Sequence, residues 1–137
     1  MLRRLFFLPI TAVLLWAQEV PRPEYPQPQF QREQWMTLNG TWEFEFDDKD
    51  VGVAENWSAG AKKFSRNILV PFCFESKKSG IGDTSFHPVV WYRRAVTLPA
   101  DWKGKRAILN FGAVDYLARV WVNGRFAGEH TGGHVGF

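Results

Sequence analysis

Leu117-Ala118-Arg119-Val120-Trp121-Val122-Asn123-Gly124-Arg125-Phe126-Ala127-Gly128-Glu129 is the stretch that decides the fold. Two short runs that favour strands flank the dipeptide Asn123-Gly124. Both residues accept positive φ, which a two-residue type I′ turn requires at its centre. The stretch therefore predicts a hairpin with strands at 117–122 and 125–129. Trp121 is expected to be structural, although Leu117, Arg119 and Asn123 share its parity and Val120 and Val122 take the other face.

Upstream, Asn39-Gly40 is a second turn signal. Trp42, Phe44 and Phe46 then alternate with Glu43, Glu45 and Asp47, the period of a half-buried strand. Three aromatics in a row are too apolar to leave in water, so they are expected on the inner face of a sandwich, with the carboxylates in solvent. Further strands are predicted at 68–70, closed by Pro71, at 90–98, and at 106–111. Residues 48–66 read as a variable loop region containing Trp57. Residues 75–88 read as a long polar loop, of a length often found at functional sites. No segment after the N-terminus carries a helical period. About six short strands separated by turn signals predict an all-β chain, a jelly-roll β-sandwich. A jelly roll usually has eight strands, so the sandwich is expected to be incomplete at the C-terminus.

The N-terminus predicts a different segment. Arg3 and Arg4 precede an apolar run from Leu5 to Trp16, and Ala17 stands before Gln18. That is the order of a signal peptide, and the run is too short to span a bilayer comfortably. Residues 1–17 are thus expected to be a signal peptide, with export to the periplasm or the extracellular space and no membrane association after cleavage. Residues 18–37 carry Pro21, Pro23, Pro26 and Pro28, which predicts an extended Pro-rich arm without helix. Residues 38–137 form the predicted domain.

Composition narrows the function classes. The net charge of +3 includes Arg3 and Arg4. Without them basic and acidic residues nearly balance, and no basic stripe supports nucleic-acid binding. The single cysteine, Cys73, permits no internal disulfide and reads as a small apolar core residue. Seven Trp and twelve Phe suit strands and a buried core, and an exposed ring among them would suit a sugar.

Few residues stand out for chemistry. His130 and His134 lie four apart in His-Thr-Gly-Gly-His, a spacing that presents two metal ligands on a helix. The glycines between them argue against a helix. A turn with both imidazoles hydrogen-bonded locally, the edge of a ligand site, and metal binding remain open, in that order. His87 is the third histidine. Asp83, Asp115 and Glu129 are the conceivable carboxylates for glycoside hydrolysis, and none sits in a diagnostic motif. No residue calls for a cofactor.

Four pieces, taken in order, carry a resemblance. They are Leu38-Asn39-Gly40-Thr41-Trp42-Glu43-Phe44, Trp91-Tyr92-Arg93-Arg94, the run from Phe111 to Gly124, and Gly128-Glu129-His130-Thr131-Gly132-Gly133-His134. Together they resemble the N-terminal sugar-binding domain of family 2 glycoside hydrolases, which include β-galactosidases, β-glucuronidases and β-mannosidases. His134 stands where Tyr is commoner. The resemblance implies a jelly-roll domain that supports a catalytic barrel placed downstream and shapes one wall of its pocket. It carries no catalytic role to any residue of this chain. It implies a substrate-proximal neighbourhood at Glu129, His130, Gly132, Gly133 and His134, and as partners a β-glycoside and the downstream domains of the same enzyme; no residue is assigned as a metal ligand. A stand-alone lectin-like module without hydrolase activity is the alternative.

Overall fold

The computed structural model describes residues 20–137; the expected signal peptide lies outside them. The described chain is all-β. Five strands form two antiparallel sheets: β1 (Gly40–Phe46), β2 (Arg66–Val70) and β3 (Val90–Arg93) in the order β2-β1-β3, and β4 (Leu117–Val122) with β5 (Arg125–Thr131). Four single 3-10 turns are the only helical segments among the described residues, one of them at Pro28–Phe30 inside the Pro-rich arm. The arm is tied to the domain. Asn39 Nδ2 donates to the carbonyls of Pro21 and Arg22, and the rings of Tyr25 and Trp35 meet edge-on.

The β4–β5 hairpin forms as its turn residues dictate. Asn123 and Gly124 have φ of 51° and 76°, both in the left-handed region a type I′ turn needs. The register then shifts. Val120 faces Gly128 while Trp121 faces Phe126, so Ala127 is the extra residue of a β-bulge. The bulge sets Phe126 rather than Ala127 opposite Trp121, with ring centroids 5.7 Å apart. Arg119 stays exposed and pairs with Glu129, while Trp121 turns inward to Trp91 of β3, with ring centroids 5.0 Å apart. This contact joins the two sheets of the sandwich. The core around it contains Trp57, Phe64 and Trp91, flanked by Val51, Val89 and Trp121.

β1 is covered on both faces, and here the structure departs from expectation. Phe44 is fully buried, but the Phe44 and Phe46 side is closed by Phe74 and His87 from the loop after β2. The other side, expected to be in solvent, holds the Trp57 cluster. Two of its three carboxylates are therefore buried. Glu45 accepts from the amide and hydroxyl of Ser65, and Lys62 and Arg66 approach it at 3.9 Å. Asp47 is 2% exposed. It accepts from the amides of Val51 at 2.9 Å and Gly52 at 2.7 Å, and from the indole of Trp91 at 3.0 Å. Burial pushes this carboxyl up, but the three hydrogen bonds and the charge of Lys62 outweigh it and hold it below 3.8. Gly52 is needed there, because a Cβ would lie 2.4 Å from Trp91 Nε1.

Two predicted strands are shorter than expected. β3 stops at Arg93, where its ladder to β1 ends at Glu43. Arg94 instead donates to the carbonyls of Leu38 and Asn39. Residues 106–110 have strand-like composition but belong to no ladder, and Ile108 and Leu109 are exposed. Only Phe111 pairs, exchanging both backbone hydrogen bonds with Phe137. A strand exists through its partner, and along 106–110 the described chain supplies none.

Candidate functional site

The chain after β5 turns back on itself at the two glycines. Gly132, at φ 136°, donates its amide to the carbonyl of Tyr116. Gly133 lies against the Asp115 side chain so closely that a Cβ would sit 2.5 Å from Oδ1. Phe137 then reaches Phe111. The rings of Phe111 and Phe137 stack at 4.9 Å, and His130 stacks on Phe137 at 4.3 Å. The result is a column of three rings beside the Gly132-Gly133 turn.

Of the residues expected near substrate, the structure gathers His130, Gly132 and Gly133 around this column. Glu129 faces away. Neighbouring residues of a strand point to opposite sides, and Glu129 is exposed beside Arg119. His134 is exposed. The turn with two locally hydrogen-bonded imidazoles does not form as expected. His130 belongs to β5, and its Nε2 is buried without a hydrogen-bond partner, because the ring is placed by stacking. Among the described residues no three His, Cys, Asp or Glu side chains come together as a metal site. The three conceivable carboxylates are dispersed as well: Asp115 lies against Gly133, Glu129 beside Arg119, and Asp83 beside His87.

The other sheet carries two open clefts. A cleft of about 400 Å³ is lined by Phe46, Arg66, Asn67, Gly80, Ile81 and Asp83. Beside it, a second cleft of about 330 Å³ runs along β2 past Lys77, Lys78 and Ser79. One wall of both comes from the polar loop between β2 and β3. That loop holds its shape through the 3-10 turn Lys77–Ser79, capped by the Ser76 hydroxyl, and through Ser79 Oγ, which donates to the carbonyl of Ser76 at 2.7 Å. Arg66 lays its guanidinium over the Phe46 ring at 4.6 Å. The polar composition of 75–88 marked the loop in the sequence. The role of His87 within it carried no sequence signal, because its partners include Asp48, thirty-nine residues away.

Comparison with known proteins places the chain in a family. Residues 35–137 match the family described as "Glycosyl hydrolases family 2, sugar binding domain". Over 122 residues the chain is 36% identical to a β-glucuronidase of Canis lupus familiaris, covering 82% of this chain and 19% of that protein. It is 30% identical over 106 residues to a β-glucuronidase of Paenibacillus borealis, covering 73% and 17%. The apo crystal structure of a Ruminococcus gnavus β-glucuronidase superposes with a TM-score of 0.65 at 28% identity, over 78% of this chain and 19% of that one. The chain thus spans about a fifth of the length of the relatives it matches.

Proposed function

Since the chain belongs to the sugar-binding domain family of the family 2 glycosyl hydrolases, we propose that it is the N-terminal carbohydrate-binding and support domain of an exported β-glycosidase whose substrates are β-glucuronides. The observation that carries the substrate class is the 36% identity to a β-glucuronidase over 82% of this chain. The bulged hairpin and its stacked rings build a rigid edge at Gly132, Gly133 and His134, suited to forming one wall of a pocket whose catalytic groups lie on other domains. The partners are the β-glucuronide and those domains. Export rests on Arg3, Arg4, the apolar run and Ala17.

The test compares the full-length protein with residues 18–137 alone, using nitrophenyl β-glucuronide, β-galactoside and β-mannoside. Turnover of the glucuronide by the full-length protein, with background rates from the domain, is expected. Preference for the galactoside or mannoside refutes the substrate class. Turnover by the isolated domain refutes its support role. Mass spectrometry of the exported protein should find a mature N-terminus near Gln18, and intact Met1 on exported protein refutes cleavage.

A further inference from the structure

His87 joins Phe74 in tying the β2–β3 loop to the sheet, and it alone of the two carries a titratable ring. The His87 ring stacks on Phe46 with centroids 3.6 Å apart and meets Phe74 edge-on at 5.7 Å. Its side chain is only 12% exposed. Nδ1 lies 2.7 Å from Asp48 Oδ1, in the turn that follows β1. Nε2 lies 3.5 Å from Oδ2 of Asp83, within ion-pair reach but without a formed hydrogen bond, and is shielded from solvent. A neutral imidazole carries one N–H and can donate to only one of the two carboxylates, whereas the imidazolium donates from both nitrogens. Asp83 is at the same time a wall of the cleft.

We propose that His87 is a proton-operated latch on that wall: the imidazolium clamps Asp48 and Asp83 together and holds the loop over Phe46, and the neutral ring releases Asp83. The charged groups around the ring favour this cycle. The hydrogen bond to Asp48 is the largest influence and raises the imidazole above its ordinary 6.5; burial opposes it, and the charge of Asp48 and the contact with Asp83 add to it. Asp83 itself is held below 3.8, chiefly by the Ser85 amide, so it stays ionised throughout. Arg66 of β2 lies over the same Phe46 ring and is the cation facing the cluster. Because the folded pKa is raised, the clamp is complete below the unfolded value and is lost as pH rises through the folded one. The loop therefore tightens as pH falls below the raised imidazole value and loosens as pH rises above it.

Hydrogen–deuterium exchange of peptides covering residues 74–87 in the full-length protein tests this, with rates corrected for the intrinsic pH dependence of amide exchange. Between about pH 6 and about pH 9, spanning the imidazole titration, protection of these peptides should fall roughly two- to fivefold, the range expected for losing one partly exposed ion pair. His87→Gln keeps a hydrogen-bonding side chain that does not titrate, so its peptides should show the lower protection at both pH values. Asp83→Asn, at a partly exposed site, should shrink the step. Wild-type protection that stays flat overturns the latch, as does a full-size step in His87→Gln. If His87→Gln fails to fold, a full-size step in Asp83→Asn overturns it instead.

Discussion

Replacing Asp47 by Asn changes no side-chain volume, yet it should cost this domain a large part of its stability. The carboxylate takes three donors, the Val51 amide on Oδ1 and the Gly52 amide and Trp91 indole on Oδ2. An amide offers an acceptor on one side only. With its oxygen toward Gly52 and Trp91, its NH2 meets the Val51 N–H donor to donor. One hydrogen bond to a charged group is then lost, at about 1.5–3 kcal/mol. The other two lose their charge assistance, which roughly doubles the strength of such bonds. The total is about 3 kcal/mol for Asp47→Asn, and about 5 kcal/mol for Asp47→Ala, where all three donors are stranded. The larger figure reaches the lower end of a small domain's whole stability.

Urea unfolding of the chain at neutral pH reads these differences directly. The pH dependence gives a second check. Because the folded carboxyl is held below 3.8, its contribution is present above that value and is lost as pH falls through the depressed one. The gap between wild type and Asp47→Asn should thus narrow progressively in acid. An Asn variant within about 0.5 kcal/mol of wild type at neutral pH, the scatter of an ordinary surface change, would refute the assignment of Asp47 as the residue joining β1, the 51–52 turn and β3.

Gly52→Ala attacks the same junction from the other side. Its Cβ would meet Trp91 Nε1 at 2.4 Å and Asp47 Oδ2 at 2.8 Å, so the melting temperature should drop markedly, and an unchanged melt would mean the turn has room it does not show. Phe44→Ala should cost about 3–5 kcal/mol, since the ring is fully buried. Trp42→Ala should cost less, because that ring is only half-buried and carries Arg94 over its face. Unfolding midpoints in the reverse order would place Trp42, not Phe44, at the centre of the aromatic layer.

What the sequence made legible was local. Asn123-Gly124 names its own turn, and the period-two alternation of 42–46 names its own strand, because the information for each lies within a few residues. The fate of Glu45 and Asp47 was not local. Alternation correctly put them opposite Phe44, but their donors come from Ser65, Val51, Gly52 and Trp91, which the chain brings up from both sides of β1. A carboxylate on a strand reads as solvated until something covers it. The short β3 and the unladdered 106–110 segment have a related cause, since propensity proposes a strand and only a partner makes one.

The two layers over β1 also decide which surfaces this domain can offer a carbohydrate. Stacking on a sugar needs an exposed aromatic face. Phe44 is closed off, Phe46 lies under His87 and Arg66, and Trp91 lies under Trp121 and Trp57. The sheet's central rings are therefore structural, which is why their abundance in the sequence says more about the core than about binding. Polar groups remain accessible at two rims. One is the cleft edged by Arg66, Asn67 and Asp83, and the other is the turn at Gly132-Gly133 beside the His130–Phe137–Phe111 column. The first rests on a loop whose hold depends on His87, the second on backbone tied by stacking and by the Gly132–Tyr116 hydrogen bond. A rim fixed by stacking keeps its shape across pH, whereas a rim fixed by an imidazole between two carboxylates does not. On the proposed reading as part of a β-glucuronide-cleaving enzyme, glucuronide affinity of the full-length protein, measured across pH in wild type and His87→Gln, therefore separates the two. A pH dependence removed by the substitution assigns substrate contact to the cleft, and an affinity whose pH profile is unchanged by the substitution leaves the Gly132-Gly133 turn as the contacting edge.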